Sequence, residues 1–346
     1  MFKWLTVLSP SLRTPLQPEC DFEGNIIGRY GKVMALITRE KVAKLAWFTL
    51  AWNVIVILWG AVVRASLSGN GCGEHWPLCG GHLIPTFRAI ATVIEFLHRA
   101  STGVDAFLLV ALAVGIMVVF PAGHAARKAM GFSMFFTFTE ALLGAALVEF
   151  HLVDRVATNA RVIAEATHLT NTLLLMAAVT ATAWFASGGP RLDYQAGKKY
   201  LLSIAAALSA ALLLCVSGGI AALADTIYPP KSLSDALRQD ISGAAPIMIH
   251  LRVWHPIAAV AAILIIVVTT RKIIKLVPSQ DAVRFASWCQ LFCLLEFCAG
   301  LLNVVILAPI WMQVVHLLLA DLLWISLVLM ASAALARRKS SVEKFG

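Results

Sequence analysis

Charged side chains are what this chain has least of. Only 14% of its 346 residues are Asp, Glu, Lys or Arg, where a soluble domain carries about a quarter. With 60% hydrophobic residues, that shortage excludes an ordinary soluble globular fold. Negative charge is the scarcer sign, 19 acidic residues against 28 basic, for a net charge of +9. A surplus of that kind can serve nucleic acid, but its distribution here argues for something else. Twenty of the 28 basic residues fall in alternate polar segments, starting with the N-terminal one. This is the positive-inside pattern of a membrane protein, so both termini are expected in the cytoplasm and no nucleic-acid partner is expected. Residues 1–45 also lack a short apolar core ending in a small-residue cleavage site. No cleaved secretory signal is expected, and the first span directs insertion.

Long apolar runs are what the chain has in excess. Stretches of 18 or more recur near 46–64, 90–120, 130–150, 163–187, 200–224, 246–270, 284–307 and 311–336. The chain is therefore expected to sit in membrane lipid as an all-α integral membrane protein of eight transmembrane helices. The absence of a long Arg- and Ser-rich presequence leans towards a bacterial plasma membrane.

Seven cysteines fall into separate groups. Cys20 precedes the first span, and Cys215, Cys289, Cys293 and Cys298 lie within spans, where cysteine behaves as a small hydrophobe. Cys72 and Cys79 share one outside loop, where thiols can oxidise, so that loop can carry either a disulfide or two thiols.

The second four spans echo the first four. Offsets of 157, 156 and 148 residues relate His98 to His255, Glu140 to Glu296 and His168 to His316. Gly144 and Gly300 each follow their glutamate by four residues. A near-constant offset is the mark of a tandem duplication, and four spans per unit make the repeat parallel. The expected layout is a cytoplasmic segment 1–45, a first four-helix half 46–187, a second half 188–336 and a cytoplasmic tail 337–346, the halves being pseudo-symmetric four-helix bundles.

Four histidines, His98, His168, His255 and His316, lie at matching depths in alternate spans, roughly five to nine residues from the outer face. Ionisable residues inside a membrane are costly and usually functional. Histidine is a common axial ligand of heme iron, so two bis-histidine heme sites are expected in the outer half of the bilayer, His98 facing His168 and His255 facing His316. His250 is a rival to His255, but it lies on another helix face and its repeat position is Val93. His75, His82, His124 and His151 fall in loops or at span ends and read as solvated.

The differences between the halves bear on function. Glu95 stands three residues before His98, on one helix face with it, whereas Arg252 stands three before His255. Glu95 reads as a proton acceptor or a stabiliser of developing charge, with a hydrogen bond to a heme carboxylate or a neighbouring helix as the structural alternative. Arg252 suits a heme carboxylate. Glu140 and Glu296 occur in both halves and read as architecture or proton handling. The loop after the fifth span, Asp225-Thr226-Ile227-Tyr228-Pro229-Pro230, has no cysteine pair. Polar residues within the spans concentrate towards the outer half.

Several segments in order carry a family resemblance: Gly60-Ala61-Val62-Val63-Arg64, the Cys72–Cys79 loop with Trp76-Pro77, Glu95-Phe96-Leu97-His98-Arg99, His168-Leu169-Thr170-Asn171-Thr172, Gly218-Gly219-Ile220-Ala221-Ala222-Leu223 with Asp225-Thr226, Arg252-Val253-Trp254-His255-Pro256, and Asn303, Ala308-Pro309, Gln313 and His316-Leu317. The chain resembles the heme A synthase family over nearly all eight spans. The resemblance implies oxidation of a methyl group of heme O to the formyl group of heme A. It implies that His98 and His168 ligate the substrate heme, that His255 and His316 ligate a permanent heme b, and that Glu95 is the catalytic carboxylate. It also implies a Cys72–Cys79 disulfide near the substrate site. Some members have a second cysteine pair, which this chain lacks. The expected partners are the heme O substrate, the heme O synthase that makes it, and a membrane electron acceptor. A diheme b-type electron-transfer cytochrome explains the four histidines equally well but not Glu95 and the cysteine loop. A transporter needs polar residues lining a path to both faces.

Overall fold

The computed structural model describes residues 37–195 and 197–337. The expected N-terminal segment up to residue 36, with Cys20, and the tail from residue 338 lie outside the described residues. Eight helices are long and apolar enough to cross a membrane: α1 (Arg39–Ala65), α2 (Ile90–Val119), α3 (Ala125–Glu149), α4 (Asn159–Ala186), α5 (Lys198–Ile227), α7 (Ile247–Leu276), α8 (Gln280–Val305) and α9 (Ile310–Ala334). At 25 to 30 residues each they rise about 1.5 Å per residue, enough for a hydrocarbon core of about 30 Å. The protein is an all-α, multi-pass integral membrane protein. Backbone groups inside lipid must be satisfied within each segment, and helices do this.

Helix ends follow local chemistry. Thr158 and Ser279 accept from the backbone N–H of Arg161 and Ala282 at the starts of α4 and α8. Pro246 and Pro309 precede α7 and α9, where their missing N–H is no loss. α1 begins at Arg39, seven residues before the expected span, because the Glu40–Lys44 pair (2.7 Å) continues the helix into water. A ninth helix, α6 (Leu233–Ile241), was not expected from the sequence. It is capped by Ser232, and it turns Leu233, Leu237 and Ile241 outward at four-residue spacing while carrying Asp240.

The spanning helices pack as two rings. α1 contacts α2 and α4, and α3 contacts α2 and α4. In the second ring α5 contacts α7 and α9, and α8 contacts α7 and α9. The rings meet through α1 and α4 on one side and α5 and α9 on the other. Large side chains such as Phe107, Phe132, Phe138, Leu202, Leu264 and Val268 face outward, as lipid requires.

Two polar side chains bridge the rings. Arg64, at the end of α1, donates to Ala222 O (2.7 Å), Thr226 Oγ1 (3.0 Å) and Gln313 Oε1 (3.0 Å). Trp324 Nε1 on α9 donates to Leu173 O on α4 (2.8 Å). Some polar groups of the long helices also lie beyond the outer half. Ser133 pairs with Thr182, and Thr269 and Lys272 pair with Ser203. Each is closed by a local hydrogen bond, the usual condition for burial.

Arg64→Met should lower stability by about 2–4 kcal/mol, because three bonds to a charged donor are lost and their acceptors stay buried. Trp324→Phe should cost about 1 kcal/mol for a single neutral bond. Thermal unfolding of the two variants in one detergent checks the order.

Candidate functional site

One end of the molecule carries the Cys72–Cys79 loop, and all four intramembrane histidines lie towards it. His98 and His255 sit eight residues into α2 and α7, His168 nine into α4 and His316 six into α9. His255 and His316 face one another across the second ring, with ring centres 6.4 Å apart and planes at 79°. His98 and His168, on facing helices of the first ring, lie within electrostatic reach of each other. His250 lies in the first turn of α7. His151 is exposed, 3.8 Å from Glu74, and His124 caps α3.

Each of the four imidazoles lies against a glycine of a neighbouring helix. A Cβ at Gly218 would fall 2.9 Å from His255 Cε1, one at Gly60 3.2 Å from His98 Cε1, and one at Gly300 3.3 Å from His316 Cε1. At Gly144 the gap to His168 Cε1 is 3.9 Å. Bare backbone on α5, α1 and α8 thus makes room for a ring that would otherwise be pushed away, while Gly144 on α3 leaves His168 an ordinary contact. The sequence reading missed this role. Its signal was available: Gly60 and Gly218 recur at nearly the histidine offset, as do Gly144 and Gly300.

The Nδ1 side of each ring is dressed differently. His255 Nδ1 pairs with Ser217 Oγ (3.0 Å). His316 Nδ1 lies 3.2 Å from Glu296 Oε1, and His168 Nδ1 lies 3.6 Å from Glu140 Oε1, both without hydrogen-bond alignment. His98 Nδ1 is buried with no partner among the described residues. A carboxylate or hydroxyl at Nδ1 is the arrangement that leaves Nε2 free to ligate a metal.

Among the described residues, no three His, Cys, Asp or Glu side chains converge on a position for a metal ion. The histidines come in twos. Two imidazoles suit an iron whose other ligands arrive with it in a macrocycle, not a bare ion. The 6.4 Å separation in the second ring fits this. Two nitrogen–metal bonds of about 2 Å put the ring nitrogens about 4 Å apart, and each ring centre lies about 1 Å further back.

Glu140 is held by Thr172 Oγ1 (2.5 Å) and Asn171 Nδ2 (2.6 Å), and Thr139 Oγ1 donates to Asn171 Oδ1 (2.7 Å). The second ring replaces Asn171 and Thr172 with Leu319 and Ala320. There Glu296 Oε2 is buried without a partner, and the next residue of α9, Asp321, is 1% exposed.

Glu95 is 3% exposed, and its two oxygens are both engaged. Oε2 accepts from the backbone N–H of Cys72 (2.7 Å), and Oε1 accepts from Arg99 Nη2 (2.6 Å) and Nε (3.1 Å). Arg99 Nη1 donates on to His75 O and Leu78 O, and Cys72 and Cys79 form a disulfide. The loop is pressed onto the start of α2: a Cβ at Gly71 would meet the backbone of Ala91 at 2.4 Å. Glu95 and Arg99 therefore fasten the disulfide loop over the helix that bears His98. The sequence placed Glu95 beside His98 but gave no sign of this clamp.

Arg252, expected to meet a heme carboxylate, is already occupied. It bonds Asp225 Oδ1 (2.8 Å) through Nη1, and Asp240 Oδ1 through Nη2 (2.5 Å) and Nε (3.0 Å). Asp240 comes from α6, the helix the sequence reading did not foresee, and its arrival explains the difference.

Residues 43–328 match the family model COX15-CtaA, described as cytochrome oxidase assembly protein. A protein of Thermus thermophilus named protoheme IX farnesyltransferase is 40% identical over 304 residues, covering 88% of this chain and 50% of that protein. The chain thus spans about half the length of that relative. Proteins named heme A synthase match over shorter stretches. One from Exiguobacterium sibiricum is 44% identical over 81 residues, 23% of this chain and 27% of its own length. One from Lysinibacillus sphaericus is 41% identical over 109 residues, 30% and 35% respectively.

Gly218→Ala should lower the unfolding temperature, at a cost of about 1–3 kcal/mol for forcing His255 aside. Gly144→Ala has room for its methyl and should be neutral or stabilising by up to about 1 kcal/mol through helix propensity. Paired thermal melts decide, and equal losses would show that the imidazole contacts do not matter.

Proposed function

The chain belongs to the COX15-CtaA family of cytochrome oxidase assembly proteins, and from that premise we propose that it is a heme A synthase, oxidising a methyl group of heme O to the formyl group of heme A. The observation that carries this reading is the pair of histidine pairs, each split across two helices and each without a third His, Cys, Asp or Glu ligand among the described residues. His98 and His168 would hold the substrate heme. His255 and His316 would hold heme b. When bound, heme b would supply a one-electron redox centre next to the substrate bundle.

The protein groups have separable tasks. The four glycines set the rings at their working depth. Ser217, Glu296 and Glu140 orient the imidazoles from the Nδ1 side. Turning a methyl into an aldehyde with water as the oxygen source releases four electrons and four protons in two two-electron steps. Glu95, three residues before His98, is the carboxylate we assign to accept a proton near the reacting edge. Arg99 and the Cys72 N–H keep its charge in place before reaction. The disulfide loop above it limits water at that end of the bundle.

Further roles follow from the same reading. The electrons leave to a membrane acceptor. Heme O comes from a farnesyl transfer to protoheme, and the Thermus relative is named for that transfer while being about twice this length. We take its unmatched half as the seat of that activity, and a separate heme O synthase as the partner of this chain. The orientation we propose has both termini cytoplasmic in a bacterial plasma membrane, with the loop outside. Co-purification of the two enzymes in mild detergent, with a crosslinking control, is the expected outcome; no association under either condition would remove the partnership.

The primary test is mass analysis of hemes extracted from the purified protein made with a heme O supply. Wild type should yield heme b with heme A or its hydroxylated precursor. Glu95→Ala and Glu95→Gln should yield heme b with unreacted heme O. Glutamine keeps an acceptor for the Cys72 N–H but takes no proton, so substantial activity in Glu95→Gln alone would reduce Glu95 to an anchor for the loop. Heme b alone in every sample would sink the synthase and leave a diheme cytochrome.

A further inference from the structure

A buried positive charge lies near the substrate bundle without enough partners. Arg161 is 4% exposed, near the start of α4, at the end of the molecule that carries the disulfide loop. Its ion-pair partner is Glu165, one turn along the same helix, reached by Nη2 at 3.5 Å. Its Nε and Nη1 are buried with no hydrogen-bond partner among the described residues. A guanidinium presents five donors, and leaving them dry inside a membrane protein is costly.

Glu165 and Asp154 act on it through space, but neither reaches those two nitrogens. Glu165 also feels Arg64, so two guanidinium groups flank one carboxylate. Arg64 is already spent on Ala222, Thr226 and Gln313. Asp154, in the loop before α4, lies against Gly69 and makes no ion pair with Arg161. Burial pushes its carboxyl above the ordinary range for aspartate. No carboxylate of the cluster accepts from Arg161 Nε or Nη1 among the described residues, and buried donors of this kind are retained where something accepts from them.

Position says what that anion is. Arg161 is seven residues before His168, two turns away on the same face of α4. It stands about 10 Å from the histidine along the helix, towards the loop end. The second ring has no counterpart: the 148-residue offset puts Pro309 there, and its own cation, Arg252, is saturated by Asp225 and Asp240. We propose that Arg161 binds a peripheral carboxylate of the porphyrin whose iron His98 and His168 ligate. It would thereby fix which edge of that porphyrin points to the loop end and which edge is presented for reaction. The inference rests on the heme reading of the first histidine pair and adds the residue that orients the substrate within it.

The test is a binding titration on the full-length purified protein, followed by visible absorbance. The probes are ferric protoheme and its dimethyl ester, which differ only in whether the two carboxylates carry charge. Binding is assigned to the first ring when His168→Ala removes it. Wild type should bind the free acid roughly tenfold or more tightly than the ester, as a charge-assisted bond requires. Arg161→Met should bind both probes equally, at the affinity wild type shows for the ester. Arg161→Lys, which keeps the charge and is the variant to use should Arg161→Met not be recovered folded, should lose part of the preference and none of the ester affinity. A full preference for the acid in either variant would overturn the assignment while leaving the histidine site standing. If wild type binds neither probe in a His168-dependent way, the heme reading itself fails and takes the inference with it.

Discussion

An imidazole inside a bilayer must lie flat against something and must use both of its nitrogens. Water is not there to finish the job. Four times the molecule lays a ring on a glycine of the next helix, and in three cases it sets a hydroxyl or carboxylate of a neighbouring helix beside Nδ1, a hydrogen bond only at His255. The approach of α1 to α2, α3 to α4, α5 to α7 and α8 to α9 is set at those contacts. These are also the most extensive helix pairs of the two rings. The small residue that lets two backbones come close in other membrane proteins here lets a backbone come close to an imidazole.

Against this shared frame the two rings have drifted apart in their polar chemistry. The first keeps a closed network around Glu140, with Thr172, Asn171 and Thr139 filling every oxygen. The second has lost those partners, leaves Glu296 half satisfied and adds Asp321. At the loop end the contrast reverses. The first ring leaves Arg161 short of partners, while the second saturates Arg252 with two aspartates, one borrowed from α6. Under the function we propose, the ring that turns over a substrate has reason to keep an unfilled cation. A ring that holds a cofactor permanently has less need of one.

The architecture was legible because the signals that set it are strong in one dimension. Eight apolar runs, the alternating basic segments and the repeated offsets of His98, Glu140 and His168 gave the spanning helices and the echo between halves. What stayed hidden was contact between segments distant in sequence. Nothing in the chain announces that Glu95 would receive the Cys72 N–H, that Arg99 would reach the carbonyls of His75 and Leu78, or that Asp240 would reach Arg252. Short amphipathic α6 escaped because nine polar-rich residues between spans carry little periodic signal. Asp105, buried at 6% exposure and bonded by Asn53, passed unnoticed because the two residues sit in separate apolar runs.

The bond from Arg64 to the far ring bears on how such a protein could have arisen. A duplicated unit starts as two copies, each able to stand alone or to pair with its twin. Arg64 belongs to the first half, yet its donors end on Ala222, Thr226 and Gln313 of the second. Once that side chain found its acceptors across the seam, a lone first copy would have carried a naked cation into lipid. Dividing the chain between the halves would strip Arg64 of all three acceptors at once.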